Sequence, residues 1–305
     1  MKQISYSVIA ILFFIFMLCF PKQTLHGASD GLLLWFQILL PTLLPFLILT
    51  NFLIHTNSIT YIANLIGPLF QKLFGVSKIG SFAVLAGFLC GYPIGAKVTA
   101  DLIRTKKISL NEGKYLLSFC NNTSPAFISS YLVIQNLKDE SLLFTTLFVL
   151  YLSPILCSFL FRKIYHVKSS IEQSTSSFDT NINFSFDIFD HSIMNAFETI
   201  TKIGGYVILF SVLISLGSMT PFASIFAVLE ITNGIRYILS TIPNFYVSYI
   251  LVLTLTSFGG VCAIAQTNAM LHDTKLSIIP YTIEKLITAT VTSLLLVFYY
   301  KIIIL

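Results

Sequence analysis

The chain has 305 residues, 55% of them hydrophobic and 10% charged, with a formal net charge of +5 and a mean hydropathy of +0.85. This composition excludes a soluble globular domain, which needs far more charged surface, and predicts an all-α polytopic membrane protein. The positive charge is no nucleic-acid signature: Lys and Arg fall in short loops between apolar segments, as the positive-inside rule describes, so the expected partners are the lipid bilayer and a small-molecule substrate.

In chain order, Lys2 precedes an apolar run over residues 4–20 that reads as a retained transmembrane helix rather than a signal peptide, since no clear A-x-A cleavage site follows. Residues 1–30 are thus a first helix and a short loop. Membrane-length apolar segments follow at 31–54, 141–161, 195–217, 245–270 and 282–303. Segment 61–74 is too short to span comfortably and contains Gly67-Pro68. If it lies in the interface with Lys72 snorkelling, 79–100 is re-entrant; if it spans, 79–100 is a full crossing. Arg104-Thr105-Lys106-Lys107 is a basic loop placed inside; 115–136 leaves the cytoplasm and 141–161 returns to it.

Residues 162–194 are the polar stretch, with Arg162, Lys163, His166 and Lys168 followed by a Ser/Thr/Asn-rich run carrying Glu172, Asp179, Asp187 and Asp190. This cytoplasmic linker separates a first membrane half, 31–161, from a second, 195–305. Each half opens with a long apolar helix (31–54, 195–217). A Gly-containing segment with ionisable residues follows (79–104, 221–240), then a broken helix, then a plain span. The breaks correspond as Ser118-Phe119-Cys120-Asn121-Asn122 and as Ser257-Phe258-Gly259-Gly260 leading to Gln266-Thr267-Asn268. The halves enter from opposite sides, which predicts two inverted helical repeats with broken helices or re-entrant hairpins.

The chemistry lies at these interruptions. Free backbone groups in a bilayer cost several kcal/mol each, so the polar stretch 118–125, with Asn121, Asn122 and Thr123 before Pro125, suggests a discontinuous helix lining a binding site; the alternative is a packed Pro kink. In 87–101, Gly91 and Pro93 permit a bend, and a half-helix starting near Tyr92 aims free N–H groups inward, a ready anion site to which Lys97 adds charge. Lys97 can equally pair with Asp101 at i, i+4. Glu230, in Leu229-Glu230-Ile231-Thr232-Asn233, is six residues from Arg236, roughly 240° away on an ideal helix. Without a break at Asn233-Gly234 it needs Lys97, a coupling cation or a proton, unless it is solvated at the interface. Glu198 with Lys202 reads as an ordinary i, i+4 pair, and Glu284-Lys285 as interfacial.

The five Cys and five His are dispersed, so no metal site is expected. There is no G-x-S-x-G, H-E-x-x-H, paired Asp or Walker motif, so the reading is not an enzyme; no cofactor is expected beyond a possible coupling proton or cation.

The motifs at 87–103, 106–128, 229–235 and 257–266 resemble the sporulation integral membrane protein family known as YlbJ or SpoVV. That family belongs to the wider group with nucleoside-recognition, or Gate, membrane domains. The resemblance implies a fold like that of concentrative nucleoside transporters. It also implies a place in the outer forespore membrane of endospore-forming bacteria and movement of dipicolinic acid toward the spore. It assigns the site to Gly91, Pro93, Lys97, Asn121, Asn122, Glu230, Asn233 and Gln266, with Tyr92 and Thr123 beside them. Ser124 departs from the pattern, since relatives carry Gly before the Pro. A nucleoside or other small solute, or a non-transporting scaffold for spore assembly, are the competing readings; oligomeric state is open.

Overall fold

A computed structural model describes residues 2–167, 185–221 and 223–304; of the polar linker, 168–184 lie outside the described residues. Among the described residues there is no strand, and five helical segments are long and apolar enough to cross a membrane: 21–55, 140–164, 186–217, 245–270 and 278–301. The chain is an all-α, multi-pass membrane protein.

Helix α1 (Lys2–Cys19) ends before Phe20, and α2 (Pro21–Leu34) restarts on a Pro in its first turn, where a missing N–H costs nothing. A π-helical turn, Trp35–Leu39, continues into α3 (Leu40–His55). Residues 21–30 are therefore helical, not the expected loop. The reason is packing against α9 (Phe186–Gly217): a Cβ on Gly27 would lie 2.7 Å from the Ser211 carbonyl oxygen, and one on Gly31 2.7 Å from Ile208 Cα. Two glycines four apart let these backbones close, as small residues do in membranes, and Trp35 Nε1 donates to the Ile200 carbonyl at 2.8 Å. Helix α9 starts well before 195 because Ser185 caps it, accepting from Asp187 N at 3.1 Å.

Helix α4 (Ile59–Phe74) buries Ile59, Ala63, Gly67 and Phe74 and exposes Tyr61, Leu65, Leu69 and Leu73 along one stripe. Helices α5 (Gly80–Leu89) and α6 (Ile94–Arg104) then form a hairpin. Gly87 and Gly95 face each other and the Cys120 carbonyl, which a Cβ on either would overlap. Segment 79–100 doubles back rather than crossing straight.

Helix α7 (Leu110–Cys120) stops at a non-helical stretch, 121–124, before a π-helical segment, Phe127–Leu137, that ends at left-handed Lys138. Helix α8 (Leu143–Ile164) closes the first half. After α9 come α10 (Ala223–Ala227), α11 (Ile231–Thr241), α12 (Phe245–Phe258), α13 (Gly260–Met270) and α14 (Ile278–Ile304). Residues 266–268, expected to belong to the second break, are helical; the interruption is confined to Gly259-Gly260, both with positive φ.

Candidate functional site at two crossings of broken helices

In the first half, the turn 90–93 of the α5–α6 hairpin meets the break 121–124. Tyr92 N donates to the Asn122 carbonyl at 2.6 Å. Gly91 has φ +85°, and a Cβ there would lie 2.8 Å from Ser124 N, so only glycine fits. Ser124, by contrast, is not among the left-handed residues. Its Oγ accepts from Phe127 N at 3.2 Å and its carbonyl from Ile128 N at 3.0 Å, so it starts the next helix as a cap.

The second half repeats the construction. The turn 228–230 ahead of α11 meets the break at Gly259-Gly260, where Cys262 N donates to the Leu229 carbonyl at 2.8 Å and Val261 N to the Val228 carbonyl at 3.4 Å. The two crossings touch: Thr123 Oγ1 donates to the Thr256 carbonyl at 2.9 Å, and the Tyr92 ring lies against Gly259.

Side chains close the first crossing. Asn121 Oδ1 accepts from Ala96 N at 3.2 Å, and its Nδ2 donates to Thr267 Oγ1 at 2.9 Å and Tyr281 Oη at 2.8 Å. Asn122 Nδ2 donates to the Phe119 carbonyl at 2.7 Å. Lys285 Nζ donates to the Asn121 carbonyl at 3.0 Å and reaches Asn122 Oδ1 at 3.5 Å. Lys285 is only 3% exposed and Glu284, hydrogen-bonded by Tyr165, 7%, so both side chains are buried against neighbouring helices. The helix begins at Ile278 with Pro280 in its first turn, which sets Lys285 about 10 Å along it.

The expected anion site at the start of α6 is already filled. Ile94 N and Gly95 N donate to the Gly91 carbonyl, and Ala96 N to Asn121. Lys97 pairs with Asp101 at 2.7 Å, which Arg104 also holds at 2.7 Å. Glu230 pairs with neither Lys97 nor Arg236. The chain breaks just before Ile231, leaving Glu230 as the N-cap of α11. Its Oε2 accepts from Thr232 N at 3.0 Å, Asn233 N at 3.0 Å and Asn233 Nδ2 at 3.1 Å, and from the Thr232 hydroxyl. The positive end of α11 thus holds the protein's own carboxylate. Among the described residues, Oε1 takes no protein hydrogen bond.

Between the crossings and the α2–α3 segment lies a cavity of about 90 Å³, larger than one water needs. Of the predicted residues, Gly91, Tyr92, Thr123, Glu230 and Gln266 line it, whereas Pro93, Lys97, Asn121 and Asn122 stand behind as framework and Asn233 lines a neighbouring cavity. Ser124, part of the polar stretch 118–125, lines it too; Tyr131 and Thr232 also line it and escape the sequence reading, although Thr232 lies within two residues of a break. Among the described residues, no Lys or Arg forms its wall.

The family model described as Gate, nucleoside recognition, matches residues 36–158. The chain is 24% identical to the sporulation integral membrane protein YlbJ of Bacillus subtilis (strain 168), over 92% of this chain and 78% of that protein. No solved structure matches. The family resemblance carried by the sequence motifs is therefore borne out. The matched Gate region contains the first crossing, while Glu230 and Gln266 lie beyond it.

Proposed function

We propose that this relative of the sporulation integral membrane proteins, with its Gate domain, carries a small flat solute through the junction of its two crossings, and that the solute is dipicolinic acid, moved across the outer forespore membrane. The observation that carries this reading is the cavity itself. Three chain breaks converge on it, its walls are largely apolar, and Glu230, Gln266 and Thr123 supply a few convergent polar groups. A scaffold would need Glu230 only as a cap, with no cavity beside its second oxygen.

Charge decides what can enter. Among the described residues Glu230 stands in the wall without a Lys or Arg beside it, and Ala96 N of α6 and Thr232 N and Asn233 N of α11 are already taken. A dianion therefore enters with its charge compensated by protons or a cation. A nucleoside, neutral and rich in hydrogen-bonding groups, is the second reading, favoured by the same lack of a cation.

The test is the dipicolinate content of spores and medium in a strain lacking the protein, complemented with wild type, Glu230→Gln or Gln266→Ala. Low spore content restored by wild type and not by either variant, at equal protein level, is the expected result. Normal content in the deletion strain would remove dipicolinate as the substrate and leave the nucleoside reading.

A further inference from the structure

A second cavity, of about 250 Å³, adjoins the first; Leu34, Ile38 and Thr232 form walls of both. Its polar groups come from three elements: Asp30 of α2 and Gln37 just beyond it, Ser211 of α9, and Asn233 and Arg236 of α11. Two features are unusual. Arg236 makes no ion pair with a carboxylate among the described residues; its guanidinium carbon lies 5.7 Å from the centroid of the Tyr131 ring. Asp30, across the cavity, is paired instead with His26 at 3.1 Å. Ser211 is 4% exposed, and its Oγ is the one buried side-chain polar atom without a hydrogen-bond partner among the described residues. Most helical hydroxyls here, such as Ser192 and Thr199, bond the carbonyl four residues back. An orphan hydroxyl in a membrane protein is costly unless something occupies the space it faces.

We propose that this second cavity is the mouth of the carrier and binds the carboxylate of a small organic acid. Arg236 grips the carboxylate in its planar fork, and Ser211 and the Asn233 amide donate beside it. Tyr131 joins the two spaces: Arg236 lies over its ring, its hydroxyl donates to the Thr232 carbonyl at 3.1 Å, and its side chain lines the inner cavity. The cation that the inner cavity lacks thus stands at its entrance, and the acid gives up this partner on moving inward past Thr232. The inference rests on the carrier reading above and adds to it the charge of the solute that is first captured.

The test is equilibrium binding of dipicolinate, and separately of uridine, to the full-length protein in nanodiscs of zwitterionic lipid. Wild type, Arg236→Gln, Arg236→Lys and Ser211→Ala are compared, each checked for an unchanged thermal unfolding midpoint. Dipicolinate affinity should fall about tenfold or more in Arg236→Gln, less in Arg236→Lys and severalfold in Ser211→Ala, with any uridine binding unchanged. Unchanged dipicolinate affinity in Arg236→Gln overturns the mouth and leaves the carrier reading standing. If the wild type binds no dipicolinate, both the mouth and that substrate fall. Nanodiscs doped with phosphatidylglycerol separate the remaining source of anion: loss of lipid binding, with dipicolinate binding intact, in Arg236→Gln makes this a lipid headgroup site and overturns the proposal.

Discussion

The two crossings share a backbone plan and differ in what holds them. The first is bolted by side chains: Asn121 ties α6, α13 and α14 together, and Lys285 donates to its buried carbonyl. The second is held by N–H groups of α13 on the Val228 and Leu229 carbonyls, and its carboxylate caps α11 through one oxygen only. A polar group whose every valence is used by protein is framework; one with an oxygen to spare beside a cavity can meet a solute. By that criterion the first crossing is the anvil and the second the working face.

Substitutions that break the first crossing should therefore act on folding. The largest effect is expected for Gly87→Ala, where the new Cβ would overlap the Cys120 carbonyl oxygen, a backbone atom that cannot give way cheaply. We expect a loss of about 3 kcal/mol or more and little accumulation of folded protein. Gly205→Ala is the control: nothing lies within 4 Å of its Cβ position, so thermal unfolding in detergent should stay within about 0.5 kcal/mol of wild type. Next is Asn121→Ala, which strands Ala96 N–H and leaves Thr267 Oγ1 and Tyr281 Oη only their long 3.5 Å bond to each other. Three bonds of the modest strength typical of membrane interiors predict a loss of about 2–4 kcal/mol, read as a lowered unfolding midpoint. An Asn121→Ala protein of wild-type stability that no longer transports would make Asn121 a solute ligand and dissolve the distinction between the crossings.

This distinction is only half legible in the sequence. The spans at 141–161 and 245–270 are visible as uninterrupted apolar length. The interruptions at Asn121-Asn122 and Gly259-Gly260 are visible because a helix breaker inside an apolar run frees backbone groups that the bilayer cannot satisfy. Which Asn or Lys faces a solute is not visible, since that depends on partners 25 to 164 residues away, such as Ala96 and Lys285 for Asn121. Residues 21–30 read as a loop because they separate two apolar runs, while in the structure Gly27 and Gly31 are contact points against α9. Glu230 needs a distant cation only while its helix is taken to run through it. A break before Ile231 turns an i, i+6 problem into an N-cap.

Glu230→Gln tests the working face. The amide keeps the shape and one acceptor oxygen for Thr232 N and Asn233 N, but loses the charge at the helix end. Stability should fall by only about 1 kcal/mol, the usual worth of a cap, while transport in complemented spores is lost. Stability and function then separate in the sense opposite to Asn121→Ala. A Glu230→Gln carrier that fills spores normally would reduce this carboxylate to a cap.

The smallest effect isolates backbone shape from capping. Ser124 sits at the end of the break in the first crossing, with its Oγ on Phe127 N and Gly91 pressed against its backbone. Ser124→Gly removes the hydroxyl and leaves the chain free to adopt the same path. At an N-cap, glycine costs only a few tenths of a kcal/mol relative to serine, so the unfolding midpoint should barely move and spore dipicolinate should match wild type. If Ser124→Gly instead impairs transport at unchanged stability, the hydroxyl is contributing to the cavity it lines. The first crossing would then supply a solute contact of its own, and the division between anvil and working face would have to be redrawn through Ser124.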